Sequence, residues 1–346
     1  MRRLALANTL LFTLAGCSSL AACSTESATS VTPSTQATSA PTTEATTTTT
    51  TTTTTTPEPT STVTTIDTVT TVDTVDGRYV DEVFAELETG SAVVYATAPA
   101  LVTGTPEDLL LDWYAPADDD LAARPVIVWV HGGGFRVGNR GTLADTAAAY
   151  ARRGYVTLTI DYRLDPGSLC QDVQDEITTD PADRIRCVEA IAAAQHDAQA
   201  AVRWVRANAE ELGADTNRIA IGGFSAGAVT AVHVAQRSDD PGDVGEHLDQ
   251  PSTVSLALVA SGCSFFPGSI DATDPPMSLL ASEFDQAVPF SCVDQTAQRS
   301  RGVDVVVETL YYMGENGHAR GLYLTHQLEV DAAWTAFLVE HLHLIA

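Results

Sequence analysis

The sequence predicts an α/β domain, with a mostly parallel central sheet, antiparallel strands at its N-terminal side and helices on both faces. Three observations predict it. Short continuous apolar runs, 125–130 and 218–222 among them, alternate with helix-length segments, the pattern of strands buried on both faces and joined by crossover helices. Candidate strands at 80–84, 92–96 and 109–114 come before any helix. Glycine-rich turns close two of the apolar runs, His131-Gly132-Gly133-Gly134-Phe135 and Gly223-Phe224-Ser225-Ala226-Gly227, where the carboxyl ends of strands in such sheets hold ligands.

The chain opens on Met1-Arg2-Arg3 and an apolar stretch, 4–15, too short to remain as a bilayer-spanning helix, which reads as a secretory signal. Leu14-Ala15-Gly16-Cys17 and Leu20-Ala21-Ala22-Cys23 both resemble the lipobox of bacterial lipoproteins, in which the cysteine is lipidated. Cys17 is preferred because its box abuts the apolar run, with Cys23 as the alternative. Residues 1–23 are therefore assigned to the signal. Residues 24–76 are low in complexity, with eleven consecutive threonines at 46–56 and Pro33, Pro41, Pro57 and Pro59 around them. Such a stretch buries too little apolar surface to offset its ordering entropy and reads as an extended stalk. The aromatic and aliphatic runs lie beyond it, so one globular domain is expected over 77–346.

Within that domain the turn-forming 115–118 follows the early strands and leads to the buried strand 125–130. A helix over 142–153 and a strand over 155–160 come next. The Ala-, Arg- and Glu-rich 183–212 carries apolar residues near helical spacing and stops at Gly213, as a long helix or a pair. Strand 218–222 and helix 226–236 flank the serine turn. Strands at 254–260, 277–281 and 303–310 and a last helix over 324–342 complete the pattern.

The formal charge is −27, and residues 1–76 carry two arginines against six carboxylates, which leaves about −23 on the rest. Repulsion excludes a nucleic-acid partner. All eighteen basic residues are arginine, a usage that salt adaptation and a GC-rich coding bias would each produce.

In a G-x-S-x-G turn the strand folds back so sharply that glycines are needed at both flanks, and the serine is pushed out beyond the strand end. Its hydroxyl needs a base, an acid to orient the base, and an oxyanion hole. Together with Asp161-Tyr162-Arg163, Asp285-Gln286-Ala287-Val288-Pro289 and Gly317-His318, these residues resemble the α/β-hydrolase superfamily, and within it the carboxylesterases with an HGGG-type motif, such as the hormone-sensitive-lipase-like and feruloyl-esterase-like groups. The likeness runs from about Leu109 to the C-terminus. It implies Ser225 as nucleophile, His318 as base, Asp285 as orienting acid, and the main-chain N–H groups of Gly133, Gly134 and Ala226 as the oxyanion hole, with His131 shaping the loop. Glu283 and Asp294 are the rival acids. The family's commoner acid loop carries a His-Gly ahead of the Asp, where this chain has Ala281-Ser282-Glu283.

The expected activity is hydrolysis of a small-molecule or polymer-linked carboxylic ester through an acyl-enzyme, without metal or organic cofactor. An acyltransferase would use the same triad with an alcohol in place of water, and a non-catalytic binding protein would share the scaffold. Cys170, Cys187, Cys263 and Cys292 form an even set in a chain read as secreted, so disulfides are expected. Three pairings exist. Cys170 with Cys187 and Cys263 with Cys292 are preferred as neighbours in sequence, the second bracing the Asp285 loop. The acidic 164–183 is expected to form a pocket wall or lid, and its carboxylates would repel anionic substrates if they face the cleft.

Overall fold

A computed structural model describes residues 76–345 apart from 239 and 241. The signal, the lipidation candidates Cys17 and Cys23 and almost all of the stalk fall outside the described residues. Eight strands, β1 (Leu87–Pro99), β2 (Pro106–Pro116), β3 (Arg124–Val130), β4 (Val156–Ile160), β5 (Ala214–Phe224), β6 (Leu256–Ala260), β7 (Met277–Ser282) and β8 (Val307–Tyr312), form one sheet in the order β1-β2-β4-β3-β5-β6-β7-β8. β1 pairs antiparallel with β2 and β2 with β4, and every later pairing is parallel. The helices are α1 (Ala144–Arg152), α2 (Cys170–Gln174), α3 (Pro181–Ala207), α4 (Ala209–Leu212), α5 (Ala226–Gln236), α6 (Phe290–Arg301), α7 (Ala319–Thr325) and α8 (Gln327–His341).

The two-residue period of the strands sorts the core into two layers. On one face Val126, Val128 and Val130 of β3 join Ile219 and Ile221 of β5 against small and aliphatic residues of α3, α5 and α6. On the other, Ile127 and Trp129 of β3 and Phe224 of β5 join Tyr150 of α1, Tyr323 of α7 and Trp334 of α8. Trp129 is fully buried, 6.1 to 6.2 Å between centroids from Phe224 and Trp334 and 5.3 Å from Tyr150. Truncating a buried aromatic of this kind costs about 3–5 kcal/mol. Because Phe224 immediately precedes Ser225, this aromatic layer is also the floor of the serine turn.

Three expectations are corrected. Residues 80–84 are not a strand. Their main chain is taken by a turn on Gly77 and by bonds to the end of α1, with the Phe84 N–H donating to the Arg152 carbonyl at 2.9 Å, while Val80 and Val83 face outward. The last strand starts at Val307, four residues later than expected, because Val303 and Val305 turn back on the Ser300 carbonyl and Asp304 takes φ 66°. The final helix divides at His326, where the ring stacks on Tyr312 and hydrogen bonds Glu315. The 183–212 stretch resolves into α3 and the single turn α4, and Gly213 closes it in the left-handed conformation at φ 59°.

Candidate active site

β5 ends at Phe224 and α5 begins at Ala226, so Ser225 carries the whole reversal, at φ 56° and ψ −121°, a strained conformation for a residue with a side chain. Its N–H donates to the Ala260 carbonyl of the neighbouring strand at 2.9 Å. The turn closes so tightly that a Cβ on Gly227 would stand 2.1 Å from the Val130 carbonyl oxygen, which is why only glycine serves there. The Ser225 hydroxyl is thereby held at the carboxyl end of the sheet.

His318 arrives from the loop after β8 and Asp285 from the loop after β7. Ser225 Oγ lies 2.9 Å from His318 Nε2, and His318 Nδ1 lies 2.8 Å from an Asp285 carboxylate oxygen. The other Asp285 oxygen accepts from the N–H groups of Ala287 at 2.8 Å and Val288 at 3.1 Å. Burial raises the Asp285 pKa, but the hydrogen bond from His318 and those from Val288 and Ala287 outweigh it and hold the carboxyl below its ordinary value. An ionised carboxylate only accepts, so Nδ1 carries the imidazole proton and Nε2 is left as acceptor for the serine hydroxyl. A side chain that takes a proton from a hydroxyl needs this protonation pattern.

The rival acids are engaged elsewhere. Glu283 accepts from the Gly314 N–H at 2.8 Å, and Asp294 accepts from Gln298 at 2.6 Å on the outer side of α6. Among the remaining histidines, His196 pairs with Asp240 and Asp243, while His233 is buried, accepts from the Phe265 N–H and is pushed by burial down to about 3.

The glycine loop after β3 lies beside the serine. Gly133 has φ 123°, and a Cβ there would fall 1.8 Å from the Val137 carbonyl oxygen. Phe135 follows at φ 62°. His131 is buried with its ring stacked 4.4 Å from Tyr162, whose hydroxyl donates to the His131 carbonyl at 3.0 Å. The Asp161-Tyr162-Arg163 segment thus pins the loop from below. Among the described residues the N–H groups of Gly133 and Gly134 have no main-chain acceptor, and the N–H of Ala226 opens α5, where no carbonyl of the helix can reach it.

Two positioning groups escaped the sequence reading. Ser282 Oγ donates to the Gly317 carbonyl at 2.5 Å, and Ser261 Oγ accepts from the Ala319 N–H at 2.9 Å. Both serines are fully buried, and they fix the main chain on either side of His318. Serines at strand ends are common, and only the folded register reveals their partners.

These groups open on a cavity of about 590 Å³, walled by Gly132, Phe135, Val137, Val229, Phe265 and Val288 among others. Disulfides join Cys170 to Cys187 and Cys263 to Cys292. The first ties α2 to α3, and α2 supplies Cys170, Gln171 and Gln174 to the cavity wall. The carboxylates of 164–183 do not line the cavity. Asp165 pairs with Arg186, Asp183 accepts from Thr178, and Asp180 caps α3. The condition for repelling anionic substrates is therefore not met.

The profile of the carboxylesterase family matches residues 39–244. The esterase LipI of Mycobacterium tuberculosis is 31% identical over 185 residues, 47% of this chain and 51% of that protein. The carboxylesterase NlhH of the same species is 34% identical over 119 residues, 34% of this chain and 31% of that protein. This chain thus spans about half the length of the first relative and about a third of the second. Among solved structures, a Thermogutta terrifontis esterase with propionate bound is 25% identical, with a TM-score of 0.57 over 72% of this chain and 94% of that one. The same esterase phosphorylated by paraoxon is matched at 25% identity and a TM-score of 0.57, over 74% of this chain and 95% of that one.

Proposed function

Since the chain belongs to the carboxylesterase family, we propose that it hydrolyses carboxylic esters by acyl transfer through Ser225. The observation that carries this reading is the continuous line Ser225 Oγ, His318 Nε2, His318 Nδ1 and Asp285, with spacings of 2.9 and 2.8 Å. His318 takes the hydroxyl proton as Ser225 attacks the ester carbonyl, and Asp285 stabilises the imidazolium that forms. The N–H groups of Gly133, Gly134 and Ala226 receive the oxyanion, an interaction that strengthens as charge develops on the oxygen. His318 then gives its proton to the departing alcohol. Water, deprotonated by the same imidazole, releases the acid.

The apolar wall and the volume of about 590 Å³ fit a compact ester of drug size or below, and the related esterase holds propionate. The cellular reading is secretion, with anchorage through Cys17 or Cys23 and the threonine-rich stalk. It is supported by the two disulfides, which persist in oxidising compartments. No helix among the described residues is long and apolar enough to cross a membrane.

The test is hydrolysis of a chain-length series of neutral p-nitrophenyl esters by the full chain and by Ser225→Ala. The parent turns the series over with a preference for short acyl chains, and the variant loses about 10⁴-fold or more in kcat. Equal rates in the two proteins would remove Ser225 from the mechanism.

A further inference from the structure

One side chain does not suit the apolar wall of the cavity. Arg320, two residues after His318 and in the first turn of α7, lines the cavity with its Nε buried and without a hydrogen-bond partner. Among the described residues it is the one formally charged side chain on that wall, Asp285 lying behind His318. Its guanidinium enters no ion pair or hydrogen bond there. Other arginines of the domain are engaged, Arg140 with Asp112 and Asp161, Arg163 with Asp197 and Asp243. Glu315, close in sequence, is taken by His326. A guanidinium offers five donors in a planar fork that matches a carboxylate. The Nη groups of Arg320 have no partner and are not enclosed as Nε is, so their donors remain available to an acceptor in the cavity.

We propose that Arg320 receives a carboxylate carried by the ester substrate, which makes the preferred substrate class monoanionic esters in place of purely neutral ones. The inference rests on Ser225 being the nucleophile of this cavity. One guanidinium compensates one negative charge, and with a formal charge of −27 on the chain a dianionic group such as a phosphate monoester would meet net repulsion. The carboxylate can sit on the acyl side or on the alcohol side of the ester, and matched substrate pairs separate the two. Monoethyl succinate against ethyl butyrate, followed by pH-stat, probes the acyl side, and para-acetoxybenzoate against para-acetoxybenzamide probes the alcohol side.

In the parent, at least one carboxylated ester is turned over with a higher kcat/KM than its neutral partner. In Arg320→Gln that carboxylated-to-neutral ratio falls about tenfold to a hundredfold, the range of a charge-assisted hydrogen bond, mainly through KM, and Arg320→Lys recovers part of it. A ratio that moves less than about twofold on both pairs overturns the inference while leaving the hydrolase reading intact. Binding of monoethyl succinate and ethyl butyrate to Ser225→Ala, with and without Arg320→Gln, by equilibrium dialysis, gives a readout independent of turnover. Selective weakening of the succinate ester by Arg320→Gln supports the proposal even if no ester is hydrolysed, and equal affinity in the two backgrounds refutes it.

Discussion

Asp197 on α3 and Asp285 in the loop after β7 are both buried carboxylates, and their partners differ in kind. Asp197 on α3 has no exposed surface and is enclosed by one residue. It accepts from the Arg163 main-chain N–H at 2.7 Å and from the Arg163 guanidinium at 2.8 and 2.9 Å, and Arg163 itself is 2% exposed. Asp285 is almost as buried, at 1%, but it gives one oxygen to His318, whose ring is 32% exposed to the cavity. A carboxylate whose acceptor capacity is filled by an immobile cation holds two segments together. One that holds a single partly exposed imidazole fixes the orientation of that ring and is placed to stabilise the positive charge it would carry on taking a proton. Burial alone therefore does not set Asp285 apart from Asp197; the exposure of the partner does.

The largest contrast lies in substitution. Asp285→Asn leaves the shape intact but lets the imidazole adopt the wrong tautomer, and kcat is expected to fall by about 10⁴-fold with the thermal midpoint little changed. Asp197→Ala leaves the buried donors of Arg163 without acceptors and is expected to cost about 3–5 kcal/mol of stability, while the folded fraction keeps its kcat. Urea unfolding together with active-site-normalised kinetics checks both. A loss of stability without loss of rate in Asp285→Asn would break the comparison.

A smaller effect sharpens it through pH. Asp285 is held below the ordinary carboxylate value by its hydrogen bonds against the effect of burial. Its contribution to stability is complete above the unfolded value of about 3.9 and is lost as the pH falls through the lower folded value. For Asp197, burial is the dominant influence and pushes the carboxyl to about 6, despite Arg163. The folded chain then holds that proton more tightly than the unfolded one, so the parent gains stability relative to Asp197→Asn as the pH falls from about 6 to about 4, by up to about 3 kcal/mol. Over the same window the gap between the parent and Asp285→Asn stays flat. Urea titrations between pH 4 and pH 7 measure both gaps, and a flat gap for Asp197→Asn would contradict the contrast.

How much of this was legible in the sequence follows from where the constraint is local. The serine turn and the glycine loop are main-chain crowding problems, and crowding leaves glycines at fixed positions, as at Gly227 and Gly133. The strands β3 and β6 and the second half of β5 are buried on both faces and read as short apolar runs. By contrast α6 buries only Val293, Thr296, Ala297 and Ser300, too few apolar residues to give a helical signal. Residues 80–84 look like a strand but find no sheet edge to pair with. Ser261 and Ser282 acquire their role from carbonyl and amide groups of a loop more than thirty residues away, and no spacing in the sequence records that. The unpartnered state of Arg320 is likewise a property of the fold, since Glu315 five residues earlier would suit it as a partner and is committed to His326.

On the proposed mechanism Ser225, activated by His318, is the nucleophile. Intact-mass measurement of the full chain after exposure to diethyl p-nitrophenyl phosphate, followed by peptide mapping, tests it most directly. One diethylphosphoryl group per chain is expected, on the peptide containing Ser225, absent from Ser225→Ala and formed far more slowly in His318→Ala. Label on another residue, or undiminished labelling of Ser225→Ala, would contradict it.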